Sequence, residues 1–125
     1  MSQIPNSREK DLLELIKNIC QRPGMYVGNS ELKTVAAFID GFASGAETYD
    51  EIREFSFWLA GELKLTRNVA WFCNLDKSFP NNETALEKLP VLFEEFRTAK
   101  ENGWNFDSEY ACEMKRIMIE GNKHK

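Results

Sequence analysis

Histidine is nearly absent from this chain, and with it goes the most accessible acid-base chemistry near neutral pH: the single one, His124, sits in the terminal tail. That placement argues against His-paired nucleophiles and imidazole metal sites. No Gly-x-Ser-x-Gly elbow surrounds Ser44 or Ser56, so covalent hydrolysis has no expected machinery. Cysteine is also scarce. Cys20, Cys73 and Cys112 are odd in number, far apart and without a C-x-x-C spacing, which argues against a disulfide framework or a zinc site and suits small buried hydrophobes in a reducing compartment. No stretch approaches the ~20 apolar residues of a membrane span, and the first ten residues lack the apolar run of a signal peptide. The expectation is a cytoplasmic, non-enzymatic protein with no cofactor, no metal and no membrane contact. Internal repeats and low-complexity tracts are missing as well.

What the chain does have is length for one core and an excess of acid. Its 125 residues predict a single compact domain over 1–125, with an ordered core at about 6–121 and a polar tail at 122–125. With 16 Lys+Arg against 20 Asp+Glu, a net charge of -4 and a pI near 5.1, a basic partner is a better electrostatic match than a phosphate backbone, so no direct nucleic-acid binding is expected. The acid is concentrated in Asp40, Glu47, Asp50, Glu51 and Glu54, which face only Arg53 within that interval. Such a run is either a solvated helix face or a partner-binding surface. Glu83 with Glu87, beside Lys88, and Glu94 with Glu95 read as ordinary solvated helix positions.

Periodicity predicts an all-α fold of about five helical segments. Asn6 and Glu9 have capping-box spacing before Leu12, Leu15, Ile16 and Ile19, giving a first helix from about Ser7 to Gln21. Ser30 caps a second, with Leu32, Val35, Ala36, Ile39 and Phe42 or Ala43 inward; Asp50 caps a third, with Ile52, Phe55, Trp58 or Leu59, and Leu63 inward. Val69–Cys73 reads as a buried helical or irregular piece, the alternative being an α+β fold with a minor strand pair near residues 68–79. Asn82 caps a fourth helix through Ala85, Leu86, Leu89, Leu92, Phe93 and Phe96, which Pro90 either kinks or divides. Asp107 caps the last, whose inward face is Tyr110, Ala111, Met114, Ile117 and Met118 or Ile119, ending before Gly121. Trp104, in a polar turn, is either a lid on the core or an interface anchor.

The most distinctive segment is Arg22-Pro23-Gly24-Met25-Tyr26-Val27-Gly28. Pro23 fixes its own φ and pushes Arg22 out of the helical region, so the first helix must stop there, and the glycines open backbone angles denied to other residues. Met25, Tyr26 and Val27 are apolar enough to be expected in the core, clipping one helix to the next. A second use of this corner is as a small-ligand site, with Arg22 meeting an anion and Tyr26 orienting it.

This corner resembles the R-P-G-M-Y-I-G segment near the start of the ATPase domain of type II topoisomerases. The following helix, Leu-Lys-Thr-Val-Ala-Ala-Phe-Ile-Asp-Gly-Phe, lacks that family's acidic residue and asparagine, and no Asp-x-Gly-x-Gly follows, so no ATPase activity is implied. A broader stretch, from residue 10 to 97, is similar to small single-domain bacterial proteins that carry Arg-Pro-x-Met-Tyr-x-Gly. The matching positions are Arg22-Pro23, Met25-Tyr26, Gly28, Phe38, Asp40-Gly41-Phe42, Trp58-Leu59, Trp71, and Ala85-Leu86 through Phe93 and Phe96. Some of those proteins look like immunity proteins encoded beside secreted or contact-delivered toxins. That resemblance implies an antitoxin that binds a cognate toxin, expected to be a basic nuclease domain, and blocks its cleft, with Asp40, Glu47, Asp50, Glu51, Glu54 and Trp104 as the candidate contacts. The rival is a regulatory or small-ligand-binding domain using Arg22, Pro23, Met25, Tyr26 and Gly28.

Overall fold

The computed structural model describes the backbone of residues 4–123 and the side chains of residues 12–119. Among the described residues the fold is all-α, as the periodicity predicts, with seven helices and no strand: α1 (Ile4–Gln21), α2 (Pro23–Val27), α3 (Leu32–Gly45), α4 (Tyr49–Leu63), α5 (Trp71–Ser78), α6 (Asn82–Glu101) and α7 (Phe106–Lys123). The two helices beyond the expected five are short. One is the corner itself, and the other is the 71–78 segment, which closes the strand alternative.

The core forms where the apolar stripes converge. α6 packs against α1, α3, α4 and α5, with α5 also seated on α4. Leu12, Ile16 and Ile19 of α1, Leu32, Val35, Ala36, Ile39 and Ala43 of α3, and Leu86, Leu89, Phe93 and Phe96 of α6 are all buried. These are helical spacings of three and four, so each stripe presents one continuous apolar face. Phe55 of α4 is the hub: its ring lies 4.9 Å from Phe93, 5.6 Å from Phe96, 5.9 Å from Trp71 and 6.2 Å from Trp58, centroid to centroid. Trp104 is half-buried against Phe96 at 5.9 Å, as a lid on this cluster.

Polar groups pin the loops. Asn74, buried on α5, donates to the Thr66 carbonyl at 2.9 Å, and Asp40 accepts the Trp71 indole N–H at 3.0 Å. Helix capping departs from the sequence reading by a residue or two. α1 already includes Asn6, α4 follows Thr48 rather than Asp50, and Asn105, not Asp107, accepts the Ser108 N–H at 2.9 Å ahead of α7. Asn81 caps its own helix by accepting from Thr84, which frees Asn82 to accept the Leu32 N–H of α3 at 2.9 Å, the role expected of Ser30. Pro90 lies within α6, which runs on as one helix.

Three burial expectations fail, the first for the cysteines: Cys73 and Cys112 are exposed and Cys20 is only partly buried. The corner forms a one-turn helix ended by Gly28 in the left-handed region, φ 82°, but Met25 is 75% exposed and Tyr26 40%, with Tyr26 edge-on to the exposed Phe38. Only Pro23 and Val27 are half-buried. A corner needs its proline and glycine for backbone geometry, and that need is independent of whether a neighbouring element covers its side chains. On α7, Tyr110, Met114, Ile117, Met118 and Ile119 are all exposed, because among the described residues α7 packs against α4 and no other helix. α7 also runs to Lys123, past the expected stop; His124 and Lys125 of the expected tail lie outside the described residues.

Candidate functional site

The acidic run read from sequence is not one open face. Glu51 meets Arg97 of α6 bidentately, with Nε and Nη2 donating to the two carboxylate oxygens at 2.8 and 3.1 Å, and Glu54 pairs with Lys100 at 2.8 Å. These carboxylates stitch α4 to α6. Asp40 is half-buried and holds Trp71; burial raises its pKa and the indole hydrogen bond opposes that rise. Asp50 is exposed and lies 3.6 Å from Arg53 on its own helix. Glu47 stands at φ 62° in the turn after α3, an uncommon conformation for a residue with a side chain. Trp104 lies on the core's edge, so the structure does not gather the six candidate contacts into one patch. Arg22 is exposed at the corner, as are Met25, Tyr26 and Gly28.

A different set of residues does come together. A groove of about 1100 Å³ runs between α1 and α6 and ends at the corner and the loop before α3. Leu86, Pro90, Val91, Cys20 and Pro23 supply apolar lining, while Glu31, Glu83, Glu87 and Glu94 supply carboxylates. The spacing explains the line of acid: residues 83, 87 and 94 fall on one face of α6, with Pro90 between them. Pro90 has no N–H for the Leu86 carbonyl, so that carbonyl lacks its usual helical donor. Among the described residues Lys17 is the one cation on the wall, and it reaches Glu94 only at 3.9 Å with both side chains well exposed. Asn82 fixes the far end by joining α6 to the start of α3.

This arrangement favours a ligand rich in donors and positive charge, with an apolar portion to cover exposed Val91. Its carboxylates are strung along the groove and do not converge: among the described residues no group of three or more His, Cys, Asp or Glu could hold a metal ion. Cys20 offers no nucleophile, since burial pushes its thiol pKa up to about 12. The groove was missed in the sequence because its carboxylates come from residue 31 and from residues 83 to 94, and only packing of α6 beside the corner unites them. The one available signal was the 83, 87, 94 register. No protein-family model, curated protein or solved structure matches the chain. No helix among the described residues is long and apolar enough to cross a membrane.

Proposed function

We propose that this protein binds and neutralises a cognate bacterial toxin, a basic nuclease domain, acting as an immunity protein in the cytoplasm of the cell that makes it. The observation that carries the reading is the carboxylate-rimmed groove beside the Arg22–Gly28 corner. A nuclease must present cations to hold phosphate, and a line of carboxylates over an apolar floor is the complementary surface for such a cleft. Neutralisation needs no reaction. Charge speeds encounter, and burial of exposed Val91 on the groove wall and of exposed Tyr26 at the neighbouring corner slows escape. The resemblance of the corner and of the Phe38-to-Phe42 segment to small bacterial Arg-Pro-x-Met-Tyr-x-Gly proteins, some of which look like toxin-immunity proteins, supports the same reading.

The acidic run from Asp40 to Glu54 takes a smaller part in this account, because Glu51 and Glu54 already hold cations of the protein itself. A small-ligand reading of the corner keeps one supporting observation, that the groove reaches Pro23, but its lining calls for a cationic ligand and not the anion that Arg22 would select. The test is protection. Cells expressing the toxin encoded in the adjacent reading frame should survive when this protein is co-expressed, and the toxin recovered from the complex should be chemically unaltered. Death of those cells despite soluble, folded protein would refute the reading.

A further inference from the structure

The carboxylates along the α1–α6 groove have a spacing that selects the backbone of whatever fills it. Glu87 and Glu94 follow Glu83 by four and eleven positions on one helix, so they rise about 6 Å and about 16.5 Å along its axis. All three are exposed, and Val91, 51% exposed, stands between the last two. Among the described residues Glu31, Glu83 and Glu87 enter no ion pair, and Glu94 has only the loose contact with Lys17. Beyond Lys17 the α1 wall offers the uncharged Cys20 and Gln21, so the free charge of the groove lies along its α6 side and, at the closed end, on Glu31.

A cationic segment lying along α6 has to present its charges at those same rises and on one face. An α-helix does so, because its residues i, i+4 and i+11 share the rises of Glu83, Glu87 and Glu94 and fall within about 40° of one another around the axis. Position i+8 then stands opposite Val91 and calls for an apolar residue. An extended strand does not match. At about 3.3 Å per residue the two rises correspond to about two and about five residues, and side-chain alternation turns the fifth to the opposite face. The seam between two packed helices is also the surface that the side-chain ridge of a third helix fits.

We propose that the α1–α6 groove takes an amphipathic basic α-helix of the protein partner, with Lys or Arg at i, i+4 and i+11 meeting Glu83, Glu87 and Glu94 and an apolar residue at i+8 covering Val91. In this arrangement, which rests on the proposed function, the toxin's phosphate-holding cations stand on one helix, and that helix is lifted out of nucleic-acid contact by lying in the groove.

The probe is a helix-stapled peptide of about 16 residues with lysine at i, i+4 and i+11 and leucine at i+8, titrated into the isotope-labelled full chain. It should shift the backbone amide signals of Glu83, Glu87, Val91 and Glu94. It should also bind about tenfold or more tighter than two peptides of equal charge, a stapled one with its lysines spread around the helix and an unstapled extended one with lysines at i, i+2 and i+5. Glu83→Gln with Glu87→Gln, which keeps side-chain size at exposed positions, should abolish that advantage with an unchanged circular dichroism spectrum. Equal binding of the three peptides overturns the proposal, as does a preference for the extended one, signal changes confined to other helices, or no binding up to about 1 mM. Failure here is separable from failure of the proposed function: protection from the toxin by a protein that ignores the helical peptide refutes the helix alone, whereas selective binding of that peptide without protection refutes the toxin alone.

Discussion

Phe55 and Tyr26 show how differently two aromatic residues of one small protein are used. Phe55 is surrounded by Trp58, Trp71, Phe93 and Phe96, so Phe55→Ala should lower stability by about 3–5 kcal/mol, the range for emptying a well-packed aromatic site. Tyr26→Ala should change it by less, about 1 kcal/mol, since the residue is 40% exposed and its aromatic neighbour Phe38 is itself exposed. Chemical denaturation of the two variants beside the parent checks both. Asp40 makes a prediction with a pH sign. Burial raises its carboxyl pKa in the folded state, so the folded protein holds a proton that the unfolded chain releases, and this group's contribution lowers stability as pH rises from its ordinary value of 3.8 through the raised one. Asp40→Asn removes that contribution and keeps an oxygen to accept from Trp71. Its melting temperature should match the parent's at pH below 3.8 and exceed it at neutral pH. A variant that melts lower at neutral pH would contradict this.

At the scale of elements, the α4–α6 seam is the most specific pairing. Glu51 and Arg97 are both mostly buried and form a bidentate contact, so a double-mutant cycle with Glu51→Gln and Arg97→Met should give a coupling of about 1 kcal/mol, at the upper end for surface pairs. A coupling near zero would mean that this ion pair adds nothing to the seam, leaving it to apolar packing and the Glu54–Lys100 contact. The stripes of α3, α4 and α6 were legible in the sequence because spacings of three and four are the direct signature of a half-buried helix. The caps were less so: Asn81 and Asn82 are chemically interchangeable, and which one turns back onto α6 depends on where α3 lies. α7 shows the limit of periodicity. Its apolar side was readable and its lack of a neighbour was not, since a pattern says that a face should be covered without saying by what. The groove falls beyond the same limit, as it requires Glu31 to arrive beside Glu83, 52 positions later in the chain.

At the scale of the whole molecule, the net charge of -4 becomes directional only through the fold. Part of the acid is neutralised within the structure, where Glu51 and Glu54 meet Arg97 and Lys100, and Glu113, whose pKa is lowered first by the Arg116 hydrogen bond, also meets Arg67. Under the proposed function, it is the line of Glu31, Glu83, Glu87 and Glu94 along the groove that would attract a basic partner. The most direct test measures association and dissociation rates between the purified protein and the toxin from the adjacent reading frame. It compares the parent with a folded Glu83→Lys, Glu87→Lys variant at low and physiological salt. The account predicts an association rate for the variant lower by about tenfold or more, a parent rate that falls steeply with salt, and a much weaker salt dependence once the groove is reversed. Equal rates for parent and variant at both salt concentrations would contradict it.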